Sequence, residues 1–373
     1  MSNRGEWKLS ELPEFEKKDI YQPVFLNKYG YYELRRQNTR EERNANFEEH
    51  YFQEYAGATY EKEEYPPEEL KYLHNQIEER AYVIEQNLEK TGKNGDYSLL
   101  DIGCGEGFLL QYFYDRGKRV KGIDCGSYAL EHFHPEMLPL FDKGDMEMLL
   151  PAMAKRGENY DVVNIDRVLD MVSDVDVCLS KIKEVMGSQS ILVIKVANNY
   201  SNLQRMLLKK GEMKEEYWLD DPDHTGYFNR EGMIARLNAN GLECLDFYGD
   251  TFVDLQLVNP FSNYYEKPET GKAGHKAAVC LENLFHDISM ERTVEIYRML
   301  GDMGFGREIV GVFRKKKKGN NIISAGAKTG MVPNTIHFSI EIVLGNLNKS
   351  ISNLLTLAYY YNTMQKFRIS CYD

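Results

Sequence analysis

The stretch that decides the fold is Leu99-Leu100-Asp101-Ile102-Gly103-Cys104-Gly105-Glu106-Gly107. A short apolar run leads directly into three alternate glycines, and an amphipathic segment follows. Glycine permits positive φ angles and lets a ligand approach the backbone closely. The start of the following helix offers free N–H groups to a polar ligand. The stretch therefore predicts a strand, a ligand-binding loop and a helix.

Outward from this loop, short apolar runs alternate with segments of helical length and period. Strands that alternate with helices in this way predict βαβ units and a parallel sheet. Right-handed crossovers then place helices on both faces of the sheet. The runs are Ser98–Ile102, Val120–Ile123, Val162–Ile165, Ile191–Val196, Leu242–Tyr248 and Ile309–Phe313.

The glycine spacing decides between two kinds of ligand. A dinucleotide-binding loop reads G-x-G-x-x-G, and its last glycine allows close packing of helix and strand. Counted from Gly103, that last position is Phe108, whose ring would block such packing. The loop is therefore not of the dinucleotide type.

The pattern from Asp101 to Gly107 instead resembles the first motif of class I S-adenosylmethionine-dependent methyltransferases. Three further stretches follow, in the same order as the later motifs of that family. The stretch Val120–Asp124 ends in a carboxylate about 20 residues further on, where it can accept both ribose hydroxyls. The stretch Gly144–Met146 is similar to the part that contacts adenine, and Tyr160–Asp166 resembles the strand beside the transferred methyl group.

This resemblance implies a fold, a cofactor and a set of contacts. The implied fold is α/β: a Rossmann-like, doubly wound, seven-stranded sheet, mostly parallel with one antiparallel strand, plus an N-terminal helical segment and a cap insertion before the last strand. The implied cofactor is S-adenosyl-L-methionine, and no metal is implied. The cofactor contacts are expected from Asp101, Gly103, Cys104, Gly105, Gly107, Asp124, Cys125, Asp145, Met146 and Asp166.

Outer motifs narrow the resemblance to bacterial small-molecule methyltransferases of polysaccharide and natural-product clusters. These motifs are Asn27–Tyr32, His50–Gln53, Val196–Ser201, Pro222–Phe228 and Gly304–Ile309. The chain departs from the group at Asp170-Met171, where relatives often carry Glu-His.

We expect three regions. Residues 1–95 form a tyrosine-rich helical region, in which Tyr51, Tyr55, Tyr60 and Tyr65 either form a lid over the cofactor or pack the N-terminal helices. Residues 96–318 form the methyltransferase domain, and the insertion at about 250–306 either caps the substrate or packs on the sheet edge. Residues 319–373 carry few charges, and their role is not predicted.

The amino-acid composition limits the classes of partner that the protein is expected to bind. The net charge of −12 argues against a nucleic-acid partner, because binding to phosphates needs a basic face. No apolar run approaches the roughly 20 residues that span a bilayer. Six scattered cysteines without a C-x-x-C pair are typical of a cytoplasmic protein. A homodimer is left open.

Methyl transfer to a hydroxyl benefits from a base within hydrogen-bond reach. His224 is the first candidate, and Asp166 and Asp170 are alternatives, although Asp170 fits a helix cap better. Lys195 is expected to face solvent or a carboxylate. The favoured acceptor is a hydroxyl of a sugar, nucleotide-sugar or related metabolite. A nucleic-acid or protein methyltransferase, or a non-catalytic cofactor-binding module, is the alternative.

Overall fold

A computed structural model of the protein describes residues 24–35, 44–45, 65–219, 224–250 and 252–317. The strands in these ranges are β1 (Val24–Leu26), β2 (Tyr32–Leu34), β3 (Ser98–Ile102), β4 (Arg119–Asp124), β5 (Phe141–Lys143), β6 (Tyr160–Asp166), β7 (Met186–Ala197), β8 (Gly226–Tyr227), β9 (Leu242–Asp250) and β10 (Glu308–Lys315). The α-helices are α1 (Pro67–Thr91), α2 (Phe108–Asp115), α3 (Tyr128–Phe133), α4 (Met146–Lys155), α5 (Val175–Glu184), α6 (Asn202–Lys210), α7 (Arg230–Ala239), α8 (Gly271–Ile288) and α9 (Met290–Asp302).

Seven strands form the central sheet in the order β5-β4-β3-β6-β7-β10-β9. The pairs formed among strands β3 to β7 are all parallel. Strand β10 is inserted between β7 and β9 and is antiparallel to both. The expected seven-stranded, mostly parallel sheet with one antiparallel strand is therefore confirmed. Strand β10 runs opposite to β7 and β9 because the insertion after β9 begins and ends at the same edge of the sheet, where Asp250 is the register partner of Glu308.

The core lies on both faces of this sheet because side chains alternate along each strand. In β3, Leu100 and Ile102 face the side covered by α4, α5 and α7, and Leu99 faces the side covered by α1, α2 and α9. All three are essentially fully buried. Each such side chain contributes about 1.5–3 kcal/mol of burial free energy. This packing holds the carboxyl ends of the parallel strands at one edge.

A second, three-stranded sheet in the order β1-β2-β8 was not predicted. It brings three of the outer motifs together. The ring of Tyr31 stacks on Phe228 with centroids 4.3 Å apart, and Tyr32 stacks on Tyr200 at 4.1 Å. The side-chain amide of Asn229 donates to the carbonyl of Gly30 over 2.9 Å. Strands of two or three residues are too short to give a readable period in the sequence.

The segment between β9 and β10 contains α8 and α9. Helix α8 lies against α1, where Asn75 Nδ2 donates to Asn283 Oδ1 over 2.9 Å. Helix α9 lies so close to β9 that a Cβ on Gly301 would come within 2.7 Å of Tyr248 Cα. These helices therefore pack on the sheet and on α1.

Some predictions fall outside the described residues. They concern Tyr51, Tyr55, Tyr60, the motif His50–Gln53 and the segment 319–373. Across the described ranges, no helix has both the length and the apolar character needed to span a membrane. The limits of the three regions remain predictions.

Candidate active site

The glycine loop after β3 has the backbone that its sequence predicts. Gly103 and Gly107 adopt φ angles of 73° and 83°, in the left-handed region. A Cβ on Gly103 would lie 2.3 Å from Val168 Cγ2, and one on Gly107 would lie 2.4 Å from Leu130 Cδ1. Both positions therefore require glycine, for conformation and for space.

Above this loop lies a cavity of about 430 Å³ at the carboxyl ends of the parallel strands. In open α/β sheets this edge is where ligands bind. All of the expected cofactor residues line the cavity, namely Asp101, Gly103, Cys104, Gly105, Gly107, Asp124, Cys125, Asp145, Met146 and Asp166. The fold therefore gathers into one site the residues of four separate motifs.

Asp124 is held by backbone N–H groups on both of its oxygens. Oδ2 accepts from Gly105 N over 3.0 Å and Oδ1 from Gly126 N over 3.1 Å. Burial raises the pKa of Asp124, and these backbone hydrogen bonds oppose the rise. An ionised carboxylate has about four acceptor positions, and the N–H groups of Gly105, Gly126 and Cys125 take up to three of them, which leaves about one for a ligand.

Asp145 begins α4 and accepts from Glu147 N over 2.7 Å. Its second oxygen accepts from Asn44 Nδ2 over 2.6 Å, and the side-chain oxygen Oδ1 of Asn44 accepts from Cys125 Sγ over 3.9 Å. Asp145 therefore caps a helix and also faces the cavity. Asn44, which also lines the cavity, was not singled out in the sequence, because no local pattern surrounds it.

Tyr65 covers the other side of the glycine loop. Its hydroxyl donates to Glu106 Oε1 over 2.7 Å, and its ring lies 5.7 Å from that of Phe133. Burial and the neighbouring Glu106 raise the pKa of Tyr65, so the phenol keeps its proton. Of the four tyrosines proposed as a lid, this is the one in the described residues, and it lines the cavity.

A buried network of polar side chains lines part of the cavity. Asp101 Oδ1 accepts from Asn164 Nδ2 over 2.7 Å, and Arg80 Nη1 donates to Asn164 Oδ1 over 3.1 Å. Burial raises the pKa of Asp101 to about 7, although the hydrogen bond from Asn164 opposes this. Arg80 also pairs with Asp166, with Nη2 and Oδ2 3.6 Å apart.

Lys195 is 3% exposed and faces carboxylates rather than solvent. Its Nζ lies 2.7 Å from Asp250 Oδ2 and 2.6 Å from Glu308 Oε2. Burial alone would lower the pKa of Lys195, but the surrounding carboxylates raise it above its usual value. Burial would raise the pKa of Asp166, yet Lys195 and the two neighbouring arginines hold it below its usual range. Both groups therefore stay charged.

His224 lies beside Asp170, with Nε2 and Oδ2 3.4 Å apart. Neither residue is among those that line the cavity, but Met171 and Val172 are. The expected capping role of Asp170 is wrong. Asp174 caps α5 instead, accepting from Asp176 N and Val177 N at 2.9 and 3.1 Å.

No group of three or more His, Cys, Asp and Glu side chains in the described ranges is arranged to hold a metal ion. Arg80, Asn164 and Lys195 also line the cavity and, like Asn44, were not identified as site residues from the sequence. The one signal was the charge of Lys195 inside the apolar run Ile191–Val196.

The chain is similar to known methyltransferases. Residues 72–246, slightly less than half of the chain, match the family model described as "Methyltransferase domain". The ubiquinone biosynthesis O-methyltransferase of Pelagibacter ubique is 30% identical over 142 residues, covering 36% of this chain and 58% of that protein. The same enzyme from a Ruegeria species is 26% identical over 190 residues, covering 50% and 75%. The chain thus spans little more than half of the first relative's length.

Among solved structures, a SAM-dependent methyltransferase from Archaeoglobus fulgidus is 17% identical, with a TM-score of 0.43 over 70% of this chain and 100% of that chain. The family-model match, the curated relatives and the cavity agree with the four sequence motifs. Residues 72–246 therefore carry a methyltransferase domain, and its cavity is lined by the residues whose motifs resemble class I S-adenosylmethionine-dependent methyltransferases.

Proposed function

We propose that the chain transfers a methyl group from S-adenosylmethionine to a hydroxyl of a small molecule. The observation that carries this proposal is that every expected cofactor residue lines one cavity. When bound, S-adenosylmethionine supplies a methyl group on a positively charged sulfur, which is a strong electrophile. The chain's task is to align the acceptor with that group and to exclude water.

The cavity residues suit the three parts of the cofactor. Asp145 and Met146 take the adenine, and the free acceptor position of Asp124 takes the ribose. The methionine part lies toward Asp101, where a carboxylate favours its ammonium group, and toward Arg80, whose guanidinium favours its carboxylate. The backbone of Cys104 and Gly105 lies between the positions that we assign to the ribose and to the methionine part.

The remaining wall of the cavity suits an acceptor with an apolar part. Leu73 and Ile77 of α1 face it, as do Met171 and Val172 after β6. Apolar walls with a few placed polar groups are typical of small-molecule sites. Asp166, at the end of β6, also lines the cavity, and we place the transferred methyl group beside it.

The relatives support O-methylation, since both act on oxygen in ubiquinone biosynthesis by their names. They do not support the sugar or nucleotide-sugar acceptor expected above, or a role in polysaccharide biosynthesis. We therefore propose the hydroxyl as the acceptor group, with the sugar as one case to test. A nucleic-acid acceptor is disfavoured by the net charge of −12.

Isothermal titration with S-adenosylmethionine tests this proposal. Asp124→Ala removes a charged hydrogen bond worth about 1.5–3 kcal/mol, so we expect affinity to fall roughly 10- to 150-fold. The matched control is Asp142→Ala, because Asp142 pairs with Lys121 at 2.6 Å outside the cavity lining. This control should bind as the wild type does.

Three results would count against the proposal. Wild-type protein that does not bind S-adenosylmethionine overturns it, and so does preferential binding of NAD. Normal affinity in the Asp124→Ala variant overturns the placement of the ribose. Binding without turnover of any acceptor would favour the non-catalytic module.

A further inference from the structure

Helix α8 carries a row of apolar side chains on the face opposite to the one that packs on the protein. The packed face is held to α1, where Asn283 Nδ2 donates to the carbonyl of Glu68 over 3.0 Å. On the exposed face, apolar residues recur at intervals of three and four, which places them in one row along the helix. They are Ala273, Ala277, Cys280, Leu281, Leu284 and Ile288, which we call the α8 stripe.

The large side chains of the α8 stripe are exposed to solvent. Leu281, Leu284 and Ile288 are 41%, 53% and 71% exposed. Single exposed apolar side chains are common on soluble proteins, but a contiguous apolar patch marks an interaction surface. None of the stripe residues lines the cofactor cavity. The α8 stripe is therefore a surface for a partner and not a part of the candidate active site.

Side-chain size increases along the α8 stripe. Ala273 and Ala277 lie toward the amino end of the helix, and Leu284 and Ile288 lie toward its carboxyl end. A second copy packed antiparallel places the alanines of each helix opposite the large side chains of the other, which fill the space that the alanines leave. A parallel pair places alanine opposite alanine and leaves a gap at one end. The stripe is thus complementary to itself in the antiparallel direction.

The charges beside the α8 stripe favour the same arrangement. Lys276 and Asp287 are both exposed and lie eleven residues apart, which is about three turns, so they share one flank of the stripe. In an antiparallel pair related by a two-fold axis, these flanks lie side by side, and Lys276 of each copy comes next to Asp287 of the other, offset by about 3 Å along the helix. In a parallel pair the two flanks lie on opposite sides, and these charges do not meet.

Asp287 can accept this second partner. Its Oδ2 lies 2.6 Å from Lys71 Nζ, and both side chains are about half exposed. A carboxylate has about four acceptor positions, so one oxygen can serve Lys71 while the other serves a lysine of a second copy.

A lipid surface fits the α8 stripe less well than a second copy does. Amphipathic helices that lie on membranes carry mainly Lys and Arg on the polar side of the apolar face. Here Lys272 and Lys276 are balanced by Asp287, and the chain has a net charge of −12, which anionic lipids repel.

We propose that the α8 stripe is the contact surface of a homodimer in which two copies of α8 pack antiparallel. The two-fold axis passes between Cys280 and Leu281, so Ala273 faces Ile288 of the second copy and Ala277 faces its Leu284. A single pair of helices buries less than the roughly 1,600 Å² of a standard interface, so we expect a reversible dimer with a Kd in the micromolar range. The proposal does not depend on the proposed methyl transfer.

Sedimentation velocity of the full chain, from about 1 to 100 µM, tests the dimer. Wild type should change from monomer to dimer over this range. Leu284→Glu should raise the dimer Kd about 100-fold or more, because two leucines lose their burial and two carboxylates approach each other. The matched control is Met148→Glu on α4, since Met148 is 65% exposed and lies outside the stripe. It should dimerise as the wild type does, and both variants should keep the wild-type circular dichroism.

A charge exchange tests the direction of the helices. Lys276→Glu and Asp287→Lys should each weaken the dimer about 3- to 10-fold, because each replaces two attractions by two repulsions at exposed sites. The double variant Lys276→Glu/Asp287→Lys restores opposite charges and should dimerise within about twofold of wild type. A double variant that is weaker than either single variant overturns the antiparallel arrangement.

Chemical cross-linking tests the position of the axis. Helices in contact lie about 8–10 Å apart, so a short bismaleimide can join the two Cys280 thiols across the axis. Wild type should give a cross-linked dimer, and Cys280→Ser should not. The matched control is Cys244→Ser, because Cys244 is also exposed but lies on β9, and this variant should cross-link as the wild type does.

Four results overturn the proposal. They are a wild-type protein that stays monomeric at the highest concentration, a Leu284→Glu variant that dimerises normally, and cross-linking that persists in Cys280→Ser. The fourth is a monomer that co-sediments with phosphatidylglycerol vesicles unless Leu284 is replaced, which would assign the stripe to lipid. A monomer whose Cys280 resists a thiol reagent would show that another part of the chain covers the stripe, and this also refutes the dimer.

Discussion

Replacement of Lys195 by methionine should strongly destabilise the protein. The ammonium lies 2.6–2.7 Å from two carboxylates, and the side chains of Lys195 and Asp250 are 4% and 2% exposed. At 2.7 Å and an effective dielectric constant of about 20, each pair contributes about 6 kcal/mol of attraction. Desolvation offsets much of this, and removal of one partner of a buried pair costs about 3–5 kcal/mol in measured cases.

Urea unfolding followed by far-ultraviolet circular dichroism measures this cost by linear extrapolation. The matched control is Lys90→Met, since Lys90 is half exposed and lies 3.7 Å from Asp246. Because the Lys90 ammonium is half exposed and Asp246 keeps its pair with Arg298, the control should remain within about 1 kcal/mol of wild type. The double variant Lys195→Met/Asp250→Asn should lose less than the sum of the two single variants, because the groups are in contact.

Two results would refute this reasoning. A loss below about 1 kcal/mol in Lys195→Met would mean that the carboxylates are stabilised by other groups or by water. Strict additivity in the double variant would mean that Lys195 and Asp250 do not interact in solution.

Two further predictions concern the cofactor end of the cavity. Burial raises the pKa of Asp101 to about 7, so this carboxyl loses its proton as pH rises through neutrality. A cationic ligand favours the ionised form of Asp101, so the affinity for S-adenosylmethionine should increase about tenfold between pH 6 and 8. Binding below neutral pH should also release a proton. A constant affinity in calorimetry across this range would contradict the prediction. Gly103→Ala places a methyl group 2.3 Å from Val168 Cγ2, whereas Gly117→Ala meets nothing within 4 Å. Both residues have positive φ, so both variants lose about 1–2 kcal/mol in urea unfolding, but Gly103→Ala should lose more and also bind the cofactor weakly.

The parallel part of the sheet could be predicted because its signals are local. Strand β3 is observed at the predicted residues, Ser98–Ile102, and β6, Tyr160–Asp166, contains the predicted run Val162–Ile165. Each apolar run is bounded by a turn residue, and each helix has a readable period. Strand β5, Phe141–Lys143, was missing from the apolar runs because two of its three residues are charged.

The cofactor residues could be predicted because they follow the strands in the chain. The residues that complete the cavity could not. Arg80 is one of many charged residues on α1, and it reaches Asn164 only because α1 packs across the sheet. The pairing of His224 with Asp170 joins residues 54 positions apart in the chain. Such contacts depend on tertiary packing, which no local period encodes.

The ion pairs of Lys195 have an evolutionary consequence. Asp250 and Glu308 stand on either side of the segment that carries α8 and α9, and one ammonium binds both. The two ends of that segment are thus fixed to each other and to β7, whatever lies between them. Because closing a longer loop adds little free-energy cost once its ends are held, this segment can gain, lose or exchange helices without altering the strand order. Homologues should therefore differ most in length between these two acids.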